Sequence, residues 1–174
     1  KGVYTFCMCP GGEVVNASSE QGMLVLNGMS YSSRSSPFSN AALVVSCHNN
    51  DYRSTSPLAG MEFQRNIERK AFKAGGGCWE VPAQNLMNFL GEKTSAYLPD
   101  NSFKMGVKPA DLKDIFPTFV VDELLSAFNK WKKEVPLFIS NQAILFAAET
   151  RTSSPVRIIR NEKFESVNLK NVYP

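Results

Sequence analysis

The sequence predicts an α+β domain with a mixed or antiparallel sheet and helices packed against it. Three observations carry this prediction. Short aliphatic and aromatic runs separated by glycine-containing turns fill the stretch from Val3 to Cys47. The stretch "FPTFVVDELLSAFNKWKKEVP" repeats its apolar residues at helical spacing. A β-branched run, "PVRII", returns near the end.

Taken in order, Val3 to Met8 suits a short strand, and "CPGGE" supplies a proline and two glycines for a turn. Val14 and Val15 then start a returning strand. Met23 to Leu26 reads as another, and the unbroken run Ala42 to Cys47 as a strand buried on both faces. Ser56 as N-cap and Pro57 in the first turn open a helix predicted from Pro57 to Lys73. Its apolar face is Phe63, Ile67, Ala71 and Ala74, and Gly75, Gly76 and Gly77 stop it.

In the second helix Phe116, Val120, Leu124, Phe128 and Trp131 form one stripe. Pro117 fits its first turn and Pro136 lies past its end. Asp122 and Glu123 sit towards its start and three lysines towards its end, which suits the helix dipole. "QAILFAAET" fits helix or strand equally by pattern, "PVRII" and the closing "VYP" read as strands, and a helical subregion is expected over about 57–136.

The 174 residues are enough for one domain with a sizeable core. The net charge of +3 is spread along the chain without a basic block, so nucleic acid is a poor partner. No apolar run approaches the roughly 20 residues of a membrane span, and the chain is expected to be cytoplasmic. Neither a leader segment nor an initiator methionine is visible, so the chain reads as a piece of a longer polypeptide.

Chemistry is sparse. Cys7, Cys9, Cys47 and Cys78 lack zinc-ligand spacing and read as reduced thiols, so no metal site is expected. With His48 as the only histidine and no G-x-S-x-G, a cysteine- or serine-dependent hydrolase is a weak reading. "PGGE" and "AGGGC" lack the G-x-G-x-x-G spacing of a dinucleotide cradle. "NAS" at Asn16 matches a glycosylation acceptor, but nothing supports a secreted context.

Asn16, Ser18, Ser19, Glu20, Asn27, Ser30, Ser32 and Arg34 fall in loops where polar groups can face a ligand, or simply water. "ETRTSSPVR", Glu149 to Arg157, packs hydroxyls and guanidiniums onto a segment stiffened by Pro155. It reads equally as an anion or ring-edge binder and as a capped turn between core elements.

The motifs "CMCPGG", "NGMSYSSR", "ALVV" and "ETRTSSPVR" together resemble an uncharacterised family of FAD-dependent dehydrogenases, over nearly the whole chain. The resemblance implies that residues 1–174 are one substrate-side domain inserted in a Rossmann-type FAD-binding fold. The flavin-binding halves would lie outside the chain and act as its partner. It implies FAD as cofactor of the parent protein, not held by this chain alone, with NAD(P)H as a possible co-substrate. Hydride transfer to or from flavin is the implied chemistry.

By position, Arg151, Thr152, Ser153 and Ser154 are implied to offer donors to flavin or substrate, and Pro10, Gly11 and Gly12 to allow close approach. Asn27, Ser30 and Arg34 complete the candidate set. A different class remains open: a non-catalytic module whose polar loops bind a protein or nucleic acid. Self-association through exposed strand edges is a further expectation.

Overall fold

The structure, a computed structural model, describes residues 1–92 and 97–174. The fold is α+β, with three small sheets among the described residues in place of one. Strands β1 (Val3–Cys9) and β4 (Asn40–Val45) pair antiparallel, with Val3 opposite Val45 and Phe6 opposite Ala42. Strands β2 (Glu13–Asn16) and β3 (Leu26–Met29) form a second antiparallel pair. In the third sheet β5 (Val81–Asn85) is central, flanked by β6 (Val107–Pro109) in parallel and β7 (Ile144–Phe146) antiparallel.

Thus β2 does not return along β1. The intervening turn packs against the serine-rich loop instead: Gly12 N–H donates to the Phe38 carbonyl at 2.9 Å. Gly11 sits at φ +60, and a Cβ there would lie 2.0 Å from the Arg34 carbonyl oxygen. No L-residue with a side chain fits that contact.

Helix α1 spans Ala59–Ala74, the single turn α2 Leu86–Phe89, and α3 Thr118–Glu134. Ser56 acts just ahead of α1, where its Oγ accepts from Leu58 N–H at 3.2 Å and its carbonyl from Ala59 N–H at 3.0 Å. Gly75 caps the other end, and Gly77, at φ +74, donates to the Phe72 carbonyl at 3.0 Å. That closure is the glycine stop predicted from sequence.

The α3 stripe faces the core as its spacing requires. Val120, Leu124 and Phe128 are buried, with Phe116 and Trp131 half-buried beside them. Phe128 meets Phe89 edge-on at 6.2 Å and Trp131 at 5.7 Å, and Trp131 meets Phe138 at 5.6 Å. These T-shaped pairs tie α3 to α2 and to the short 3-10 turn Pro136–Phe138.

Several expectations change. β4 is only half-buried apart from Ala42, because a two-stranded sheet leaves much of its surface open. Met23, Leu24 and Val25 are buried but outside a ladder. Leu24 N–H bonds the Glu68 carbonyl of α1 at 3.1 Å, and the strand starts at Leu26. The region 57–136 holds β5 and β6 as well as helices, and includes four residues outside those described.

Within "AILFAA", Ile144–Phe146 is strand β7, and the peptide joining Ala147 to Ala148 is cis. Neither "PVRII" nor "VYP" forms a strand. Beyond Arg157 the chain makes one isolated bridge, Arg160 to Ser166, and leaves Ile158, Ile159, Val172 and Tyr173 exposed. β-branched residues cannot make a strand without a neighbouring strand to pair with.

Replacing Phe128 by Ala removes the ring shared by both edge-to-face pairs. It should cost about 3–5 kcal/mol, measured as a lower urea midpoint at unchanged slope.

Candidate functional site

The site is built on the polar edge of α1. A helix brings residues four apart onto one line, so Gly60, Gln64 and Glu68 lie above one another beside the apolar face of Ile67 and Ala71. Glu68 is only 1% exposed. A buried carboxylate must be paired, and Arg151 supplies a fork: Nε to Oε1 at 3.1 Å and Nη2 to Oε2 at 2.9 Å. Thr150 Oγ1 donates to Oε1 at 2.6 Å.

The rest of the Arg151 guanidinium reaches the turn after β2. Nη1 donates to Ser19 Oγ at 2.7 Å, and Nη2 to Glu20 Oε1 at 3.1 Å. Arg65 holds the other Glu20 oxygen from Nη2 at 3.0 Å. Two carboxylates and two guanidiniums therefore alternate along one chain of contacts.

Burial by itself would raise the Glu68 pKa. The hydrogen bonds from Arg151 and Thr150, with the positive charge of Arg151 and Arg65, outweigh it and hold the carboxyl below its usual range. The bond to Glu68 pushes Arg151 up in turn. Glu149 goes the other way: burial raises its pKa, and among the described residues no hydrogen bond relieves it.

The segment after Arg151 is held too. Gln64 Nε2 donates to the Thr150 carbonyl at 2.7 Å and to the Ser153 carbonyl at 3.3 Å. Gly60 lets Pro155 come close, since a Cβ at position 60 would lie 2.6 Å from Pro155 Cβ. Ser154 Oγ donates to the Val156 carbonyl at 2.8 Å and accepts from Val156 N–H at 3.3 Å.

The Thr152 and Ser153 hydroxyls have no protein hydrogen bond among the described residues, and Ser153 is exposed. A cavity of about 350 Å³ opens there, lined by Met61, Gln64, Arg65, Ser153, Pro155 and Val156 among others.

The sequence candidates fall into two groups. Arg151, Ser153 and Ser154 line this cavity, and Thr152 is not among its lining residues. Pro10, Gly11, Gly12, Ser30 and Arg34 gather around the first turn, where Ser30 Oγ donates to the Pro10 carbonyl at 3.2 Å and Arg34 stands in the left-handed region at φ +45. Asn27 projects from β3 as an exposed residue.

Sequence reasoning missed Gly60, Gln64 and Glu68. A lone helical Glu ordinarily faces water, and only its position next to an apolar stripe hints otherwise. Cys7 and Cys78 are exposed, Cys9 and Cys47 half-buried, and all four are free. Burial, then Asp51, pushes the Cys47 thiol up, which favours the protonated form. Among the described residues no group of His, Cys, Asp and Glu could hold a metal ion, and no helix is long and apolar enough to cross a membrane.

A family described as "FAD-dependent protein, C-terminal domain-like" matches residues 1–152. The chain belongs to that family. An uncharacterised protein of Clostridium beijerinckii is 44% identical over 176 residues, which cover all of this chain and 33% of the relative. The chain thus spans about a third of the relative's length.

The residues of this FAD-dependent C-terminal-like domain suit one end of a flavin. Ser153 offers a hydroxyl, and Met61, Pro155 and Val156 an apolar wall. A cavity of about 350 Å³ lies within the size range of small-ligand pockets. The chain has no glycine-rich turn into a helix for the pyrophosphate.

Two stability predictions follow from the carboxylates. Glu68→Ala leaves Arg151, 36% exposed, with only Glu20 and Ser19, and should cost about 1–3 kcal/mol near neutral pH, read by chemical denaturation. Because Glu68 is depressed in the fold, its contribution is present above the unfolded carboxylate pKa. It is lost as pH falls through the lower folded value, so variant and wild type should converge in acid.

Glu149 is raised, so its folded state prefers the proton and its charged form opposes folding. Glu149→Gln should raise the melting temperature at neutral pH, with the gain vanishing below the carboxylate range.

Proposed function

We propose that residues 1–174 form a single substrate-side domain of a longer cytoplasmic FAD-dependent oxidoreductase, inserted in a Rossmann-type FAD-binding fold whose halves lie outside this chain. The supporting observation is the segment 150–156. It is held by Gln64 and Glu68 of α1, and the hydroxyl of Ser153 remains available at a cavity that the same two residues help to line. A rigid backbone carrying unused donors is the usual form of a ligand subsite.

FAD, when bound, supplies two-electron hydride chemistry, with NAD(P)H as the matching co-substrate. Thr152 and Ser153 would bind the flavin or the substrate through their hydroxyls. Arg151, its N–H groups engaged by Glu68, Glu20 and Ser19, fixes where those hydroxyls stand. Met61, Pro155 and Val156 exclude water from that end of the site.

The turn of Pro10, Gly11 and Gly12, with Asn27, Ser30 and Arg34, forms a second polar surface towards the same cofactor. Exposed Tyr4 and Phe6, two apart along β1 ahead of its bulge, would face the flavin-binding halves.

The test is an absorption spectrum of the longer protein that contains this chain, beside a Thr152→Val, Ser153→Ala variant. Each neutral hydrogen bond is worth about 0.5–1.5 kcal/mol. Wild type should carry flavin bands, and the variant should bind flavin on the order of ten-fold more weakly. A longer protein that purifies without flavin and takes up none on addition of FAD would overturn the proposal in favour of a non-catalytic binding module.

A further inference from the structure

We propose that the cavity between α1 and residues 153–156 takes a neutral ligand, an apolar body with an amide-like edge of one carbonyl and one N–H, and disfavours carboxylates and phosphates. The inference rests on the reading of this cavity as the ligand subsite of the domain, and it names the chemistry accepted there. Met61, Gln64, Arg65 and Glu68 form the α1 wall, at the spacing of one helical face. Ser153 to Val156 form another wall, and Glu20 joins them.

Two arginines at a cavity ordinarily signal an anion site, because a guanidinium meets a carboxylate or phosphate with paired N–H groups. Here both guanidiniums are already engaged by protein carboxylates. On Arg151, Nε and Nη2 hold Glu68, Nη2 also holds Glu20, and Nη1 holds Ser19. On Arg65, Nη1 donates to Glu62 at 3.2 Å and Nη2 to Glu20 at 3.0 Å.

Arg65 Nε, the nitrogen that would complete a side-on pair, is shut off from solvent and has no acceptor among the described residues. An entering anion would therefore displace a protein carboxylate to gain a guanidinium. It would also meet Glu20, Glu62 and Glu68 in a network with only Arg65 and Arg151 to balance them. Moving a charge out of water into such a place is unfavourable.

The groups left over are neutral. Ser153 carries its hydroxyl with no protein partner among the described residues. Gln64 Nε2 donates to two backbone carbonyls, which fixes the orientation of its amide and leaves Oε1 as an acceptor without a protein donor among the described residues. Met61, Pro155 and Val156 add apolar surface. A hydroxyl donor, an amide acceptor and an apolar wall match a carbonyl beside an N–H. The pyrimidine ring of a flavin and a carboxamide substrate both carry that edge.

The experiment uses the longer protein with methionine labelled at its methyl carbon, the Met61 NMR signal being identified by its loss in Met61→Leu. The probes are benzamide and benzoate, one ring with a neutral or an anionic edge. Benzamide should move the Met61 signal saturably, and benzoate should bind about ten-fold more weakly or worse. Ser153→Ala, at an exposed residue, should weaken benzamide about two- to ten-fold, the worth of one neutral hydrogen bond. Glu20→Gln removes the carboxylate shared by both arginines and should strengthen benzoate on the order of ten-fold.

Benzoate bound as tightly as benzamide, or a Met61 signal that neither probe moves, would overturn the inference. Benzamide that moves Met61 and displaces flavin assigns the cavity to the flavin edge, and benzamide that moves Met61 with the flavin spectrum unchanged assigns it to a separate small molecule. Both support a neutral site. A longer protein without flavin removes the proposed function alone, because Met61 still reports which probe the cavity prefers.

Discussion

The Glu68 carboxylate is the constraint on which the arrangement of the site depends. A charged group almost wholly out of water has to be met by donors, and none is near it in sequence. Its partners Thr150 and Arg151 lie 82 and 83 residues further on, and Arg151 extends the contact to Ser19 and Glu20. The backbone repeats the connection: Leu24 N–H meets the Glu68 carbonyl, and Leu26 N–H the Ala148 carbonyl at 2.9 Å. Three distant stretches, 19–26, α1 and 148–151, are drawn together by polar contacts as well as by burial.

That design has a chemical consequence. An all-apolar junction would hold these stretches with comparable strength, but it would specify their relative positions less sharply, since apolar contacts have no preferred direction. A bidentate guanidinium and a paired amide do have directions. The polar contacts fix which backbone groups of 150–155 face inwards, and so decide which side of the segment a ligand could meet.

Legibility from sequence follows the range of the interactions. The α3 stripe was readable because Val120, Leu124 and Phe128 answer one local period, and the stop of α1 because Gly75 to Gly77 have a local conformational role. Pairing was not readable. Val14 and Val15 form a strand as expected, yet their partner is β3, because the Gly11 and Gly12 turn packs on the 30–38 loop.

β5 was hidden by Pro82 in a sequence that otherwise signals little, and its parallel neighbour β6 is only three residues long. "PVRII" has strand composition and no partner, so it stays irregular. In the site, "ETRTSSPVR" was visible as a dense polar segment, and the two readings of it both hold in part. Thr150 and Arg151 make it a capped connection, and Thr152 and Ser153 keep donors free. What separates those roles is a glutamate on another element, and no local pattern marks Glu68 as buried.

The distribution of exposed apolar groups bears on why a domain with so firm a clasp leaves so much else open. Tyr4 and Phe6 share one side of β1, Met8 is exposed past the bulge that follows them, and Ile158, Ile159 and Phe164 follow the clasped segment in a stretch with little regular structure. Side chains of this size do not contribute to the core defined by Leu24, Ile67, Val81 and Phe128. Both sets stand next to candidate polar segments, the first just before Pro10 and the second just after Pro155. Under the proposed function, each polar segment then sits where the domain meets the rest of a longer polypeptide, and closing that junction would bury the apolar groups and shut water out from beside the donors. A ligand edge held there would meet donors in a drier medium, where each hydrogen bond is stronger than in water, and the clasp on α1 would keep them in place as the junction closed.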